Sequence, residues 1–127
     1  MSEQGFDAGI TFCATTDLEA TSAFYEGLLG LRLVLDQGQC RIYRLSPSCH
    51  VGFCLKDEPA DTRGIVLTFV TDEVDAWYER LTEAGVSVEK EPQSNEEYRI
   101  YHLFARDPNG YLVEIQRFDD PRWSTEG

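Results

Sequence analysis

The chain has 127 residues and sets twenty-three Asp and Glu against eleven Lys and Arg, a formal charge of −12 with a pI near 4.4. A surface of that sign repels phosphate, which excludes nucleic acid as a partner, and a chain that is 42% hydrophobic is too rich in apolar side chains to stay disordered. The length suits one domain, 1–127; the longest apolar run, Ile65 to Val70, is far short of the roughly 20 residues that cross a bilayer, and Met1 to Gly5 shows no secretory signal, so a soluble cytoplasmic protein with no membrane partner is expected.

In chain order, residues 9–15 read as a strand. Thr16-Asp17 then offers an N-cap, with Glu19 completing a capping box, and Leu18, Thr21, Tyr25, Leu28 and Leu29 form one helical face that ends at Gly30, giving a helix near 17–29. Strands near 31–36, 40–45 and 49–55 follow, the first two joined by the tight Asp36-Gln37-Gly38-Gln39 turn. Lys56 to Arg63 is a polar connection. A second strand–helix pair occupies 64–70 and 72–84, with Thr71-Asp72 as cap, Val74, Trp77, Tyr78 and Leu81 on one face, and Gly85 at the end. Strands near 86–90, 99–105 and 111–117 complete the chain, with the polar 91–97 stretch read as a loop. The C-terminal run from Phe118 is expected to fray, with Trp123 as its one candidate for docking on another subunit.

The order repeats. Asp17 and Asp72 are 55 residues apart, and so are Gly30 and Gly85, so the two segments superimpose without a gap; Arg41-Ile42-Tyr43-Arg44-Leu45 returns 58 residues later as Arg99-Ile100-Tyr101-His102-Leu103. Each copy is strand, helix, then three strands: module one over 8–56 and module two over 63–118. A four-stranded sheet with one helix leaves a face uncovered, and that face must meet another sheet, a partner or a ligand.

Ala23-Phe24-Tyr25 with Leu29-Gly30 in copy one, and Asp107-Pro108-Asn109-Gly110-Tyr111-Leu112-Val113-Glu114-Ile115 in copy two, are similar to motifs of the vicinal-oxygen-chelate group, which includes glyoxalase I, bleomycin-resistance proteins and extradiol dioxygenases. The resemblance spans residues 8 to 118. It implies an α+β fold of two tandem βαβββ modules forming a concave mixed sheet around a cavity, and a homodimer that helps to form that cavity. Metal-dependent members hold one divalent ion with side chains from the first and last strands of both modules. Transferred by copy symmetry, those positions fall on Ile10, Ile65, Cys54 and Glu114, with Gly52 as the alternative to Cys54. Two aliphatics, a thiol and a carboxylate cannot repay the dehydration of a hard or borderline ion, so no metal and no other cofactor is expected.

Strand alternation then places Ile10, Phe12 and Ala14 on the cavity side, with Ile65, Leu67 and Phe69 beside them by symmetry, and Leu112, Glu114 and Gln116 from the last strand. Thr11, Cys13, Val66, Thr68 and Val70 would face the helices. Glu114 is the main charge on that lining and the one weak candidate for catalysis. His102 lies on a lining strand, but the stretch around it is apolar on both alternations, so its direction is open, with a solvent-facing or helix-side ring the simpler reading. Arg41, Tyr43, Arg99 and Tyr101 suit either ligand orientation or cross-strand pairing. His50 is expected to be exposed. The cysteines at 13, 40, 49 and 54 form no Cys-x-x-Cys; Cys49, His50 and Cys54 lack a fourth metal ligand, and structural or free thiols are expected. These readings point to a small apolar or aromatic ligand bound at Ile10, Phe12, Cys54, Ile65, Leu67, Phe69, His102, Leu112 and Glu114. The alternative is a metal-dependent lyase, isomerase or dioxygenase of the same superfamily, using donors such as His50, Cys54, His102 and Glu114.

Overall fold

A computed structural model describes residues 4–124; Met1 to Glu3 and the last three residues of the C-terminal run lie outside the described residues. The chain forms two compact units that meet in sequence at Asp61 and Thr62. The first contains β1 (Gly9–Thr15), α1 (Leu18–Ser22) continued by a π turn (Ala23–Leu28), β2 (Arg32–Asp36), β3 (Cys40–Ser46) and β4 (Cys49–Leu55). The second contains β5 (Val66–Val70), α2 (Val74–Glu83), β6 (Val88–Asn95), β7 (Ile100–Arg106) and β8 (Leu112–Phe118). Their sheets run β1-β4-β3-β2 and β5-β8-β7-β6, each with one parallel pair between its first and last strands and antiparallel pairs elsewhere. This is the α+β architecture of two βαβββ modules.

Each helix covers one face of its sheet. In the first unit Thr21, Phe24, Tyr25 and Leu29 are buried with Cys13, Tyr43, Val51 and Phe53, and the Tyr25 ring lies 4.6 Å from that of Phe53. In the second, Val74 and Leu81 are buried with Leu67, Leu103, Ala105, Val113 and Ile115. Each fully buried side chain of this size contributes roughly 2 kcal/mol, which fixes which face the helix takes. Trp77 and Tyr78 are only half-buried; Arg80 lies over the Trp77 ring and the Tyr78 hydroxyl donates to Glu91.

The helix starts bear out Asp17 and correct the second cap. Asp17 is the first N-cap, accepting from Ala20 N at 3.0 Å, and Thr15 Oγ1 accepts from Asp17 N at 3.0 Å. In the second unit Glu73 stands at the cap with no side-chain capping bond, and Thr71 Oγ1 accepts from its N–H at 3.1 Å. Thr15 and Thr71 therefore correspond, a spacing of 56, whereas Gly30 (φ +74°) and Gly85 (φ +77°) still correspond at 55. The extra residue of the first copy is absorbed in the π turn, where Leu29 N donates to Phe24 O at 2.9 Å. Everything before that turn is consequently one residue out of phase with a gapless superposition.

A second correction concerns residues 91–97. β6 runs through Glu91 and Pro92 to Asn95, with its register to β7 shifting around Lys90 and Gln93. Pro92 is tolerated because β6 is a sheet edge and its missing N–H breaks no central ladder.

Candidate functional site

The pairing registers define the face of each sheet that the helix leaves free. In the first unit it carries Ile10, Phe12 and Ala14 from β1, His50, Gly52 and Cys54 from β4, and Cys40, Ile42 and Arg44 from β3. In the second it carries Val66, Thr68 and Val70 from β5, Leu112, Glu114 and Gln116 from β8, and His102, Phe104 and Arg106 from β7. Ile10, Phe12, His102, Leu112 and Glu114 thus stand on helix-free faces. Leu67 and Phe69 do not: they pair with Val113 and Ile115 and share the helix side, while Val66, Thr68 and Val70 take the free face. The one-residue surplus in the first helix produced that inversion. Ile65 precedes β5 and borders, with Val66, Leu112, Arg63 and Arg106, a pocket of about 520 Å³ in the second unit.

Register also reassigns the metal-ligand positions. Phe12 pairs with Gly52 and Thr68 with Glu114, so the first-unit counterpart of Glu114 is Gly52, and Ile10 corresponds to Val66. The position of Gly52 is closed to a longer side chain as the residues stand: a Cβ there would lie 2.7 Å from two ring atoms of Phe12. Cys54 is two residues further on and is joined to Cys40 in a disulfide across β3 and β4, which removes its thiol from any ligand set. Cys13 and Cys49 stand outside the disulfide. The positions Ile10, Gly52, Val66 and Glu114 offer one donor among four, so they do not fit a divalent ion. Among the described residues no group of three or more His, Cys, Asp and Glu is placed to hold one, and the set His50, Cys54, His102 and Glu114 is not assembled.

Glu114 is instead saturated by side chains of its own sheet. Thr68 Oγ1 donates to Oε1 at 2.9 Å and His102 Nδ1 lies 2.7 Å from Oε2. The Gln116 amide, assigned from the hydrogen-bond network with its nitrogen toward the carboxylate, donates to Oε2 at 2.9 Å and Oε1 at 3.1 Å. His102 is 3% exposed, its ring edge-on to Phe104 at 5.1 Å, and its Nε2 is buried without a hydrogen-bond partner. The solvent-facing or helix-side reading of His102 is therefore corrected. The signal for it was present: Tyr111 N and Asn109 N both donate to Asp107 Oδ1 at 2.8 Å in a tight turn, and counting outward from Arg106 opposite Leu112 puts His102 on the same face as Glu114.

The other polar candidates serve the helices. Arg41 donates to Glu19 at 2.8 Å and to Ser22 Oγ at 2.7 Å, and Tyr43 bonds Ser22. Tyr101 donates to Asp75 on α2 at 2.6 Å, and that bond pushes its phenol above the usual 10.0. Arg99 holds φ +52° in the turn before β7. His50 is half-buried beside Gly9 O at 3.3 Å, and Trp123 stacks on Phe118 of its own chain at 4.2 Å.

A family model described as the Glyoxalase/Bleomycin resistance protein/Dioxygenase superfamily matches residues 9–115. The chain belongs to that superfamily. Among solved structures of the same fold, an integron cassette protein from the mobile metagenome of the Halifax Harbour sewage outfall shares 22% identity, with a TM-score of 0.77 over 91% of this chain and 99% of that one. A lactoylglutathione lyase from Agrobacterium tumefaciens shares 23% identity with a TM-score of 0.74 over 95% and 100%. A glyoxalase/bleomycin resistance protein/dioxygenase from Nocardioides shares 18%, also at 0.74, over 95% and 88%. No curated protein matches the chain.

Proposed function

We propose that this superfamily member works without the divalent ion of its metal-dependent relatives and binds a small apolar or aromatic molecule against a helix-free sheet face, as a homodimer in which a second copy helps to enclose the ligand. The observation that carries the reading is the Phe12 ring lying over Gly52, the position onto which the family resemblance transfers a metal ligand. Ile10 at 43%, Phe12 at 56%, Val66 at 45% and Val70 at 47% exposure leave apolar surface open on these faces, which favours an apolar occupant over a charged one. The pocket in the second unit joins apolar walls from Ile65, Val66 and Leu112 to the cationic side chains of Arg63 and Arg106.

Fluorescence titration with 2-methylnaphthalene tests it. Saturable binding is expected, weakened about threefold to tenfold by Phe12→Ala, since an aromatic contact of this kind contributes about 0.5–1.5 kcal/mol. Absence of saturable binding would contradict the proposal.

A further inference from the structure

We infer that His102 is the polar recognition residue of the ligand face and that the ligand carries a hydroxyl group on its ring, a phenol or naphthol rather than a plain hydrocarbon. The inference rests on the binding reading above and narrows the ligand class. The hydrogen bond to Glu114 places the imidazole proton on Nδ1, which in the neutral ring leaves Nε2 as an acceptor. That acceptor is buried and unpartnered, a condition native proteins seldom keep without a purpose. Its orientation is over-determined: Glu114 grips Nδ1 while Thr68 and Gln116 grip Glu114, so three side chains from two further strands hold one ring nitrogen in place. Val70, on the same free face, is half open to solvent and supplies apolar contact for an aromatic body. A ligand hydroxyl that donates a hydrogen bond to Nε2 would complete the chain of hydrogen bonds that runs through His102 to Glu114.

The test compares 2-naphthol with 2-methylnaphthalene, which differ by hydroxyl against methyl at equal size. The native protein is expected to bind 2-naphthol about tenfold more tightly, with the preference lost in His102→Phe. In native protein labelled with 15N-histidine, the His102 Nε2 resonance is expected to move with 2-naphthol and not with 2-methylnaphthalene, a readout that does not depend on the variant folding. Equal affinities, or a preference for 2-naphthol with an unmoved Nε2 signal, would overturn the role of His102 and leave apolar binding standing. Failure of both probes to bind would overturn the binding reading itself, and this inference with it.

Discussion

Both oxygens of Glu114 are committed to Thr68, His102 and Gln116. Releasing it for a cation would break its bonds to the buried His102 and Gln116. Glu114→Ala is therefore expected to destabilise the fold by about 2 kcal/mol, because His102 would lose its one bonded partner while remaining buried; urea denaturation measures this. A second residue-scale expectation concerns Tyr101 and Tyr78, whose phenols are raised above 10.0 by their hydrogen bonds to Asp75 and Glu91. A raised folded value means that the folded chain holds these protons more tightly than the unfolded one. Their contribution is fully present below pH 10 and is lost as the pH climbs through the folded values. The double variant Tyr78→Phe and Tyr101→Phe should flatten the fall in stability on the alkaline side, read by denaturation at a series of pH values. At this scale the place of Glu114 on the helix-free face was legible from its motif. The bond to His102 was legible only by counting register from the Asp107–Gly110 turn, since composition alone leaves both faces of β7 apolar.

Among the elements, the first helix decides how much could be read ahead. Its terminal glycine and apolar face follow from spacing, but a π turn adds one residue without any marker in composition. A single surplus residue inverts every side chain of the strand compared across it, which is why Leu67 and Phe69 belong to the helix side and Val66, Thr68 and Val70 to the free face. The disulfide was hidden for a related reason: Cys40 and Cys54 meet only once β3 and β4 are in register. Bridging residues 14 apart, it is expected to contribute up to about 3 kcal/mol by restricting the unfolded chain. Denaturant unfolding with and without reductant measures that contribution. Thiol titration of the denatured, unreduced protein should find two reactive cysteines, Cys13 and Cys49; four would contradict the pairing.

For the whole molecule, the doubled βαβββ plan was plain from the repeated cap, helix and glycine order, because two copies of one pattern specify the same pairings twice. A formal charge of −12 on so small a chain implies self-repulsion, so the melting temperature should rise with sodium chloride as the carboxylates are screened. On the free sheet faces, the positions transferred from the family's metal ligands are aliphatic at Ile10 and Val66, a glycine under the Phe12 ring at Gly52, and at Glu114 a carboxylate already bonded to its neighbours. Elemental analysis of the purified protein after equilibration with nickel, zinc, manganese and ferrous ions, followed by desalting, tests this most directly. No stoichiometric metal and no shift in melting temperature are expected with any of the four. One ion retained per chain, and lost on Glu114→Ala, would contradict it.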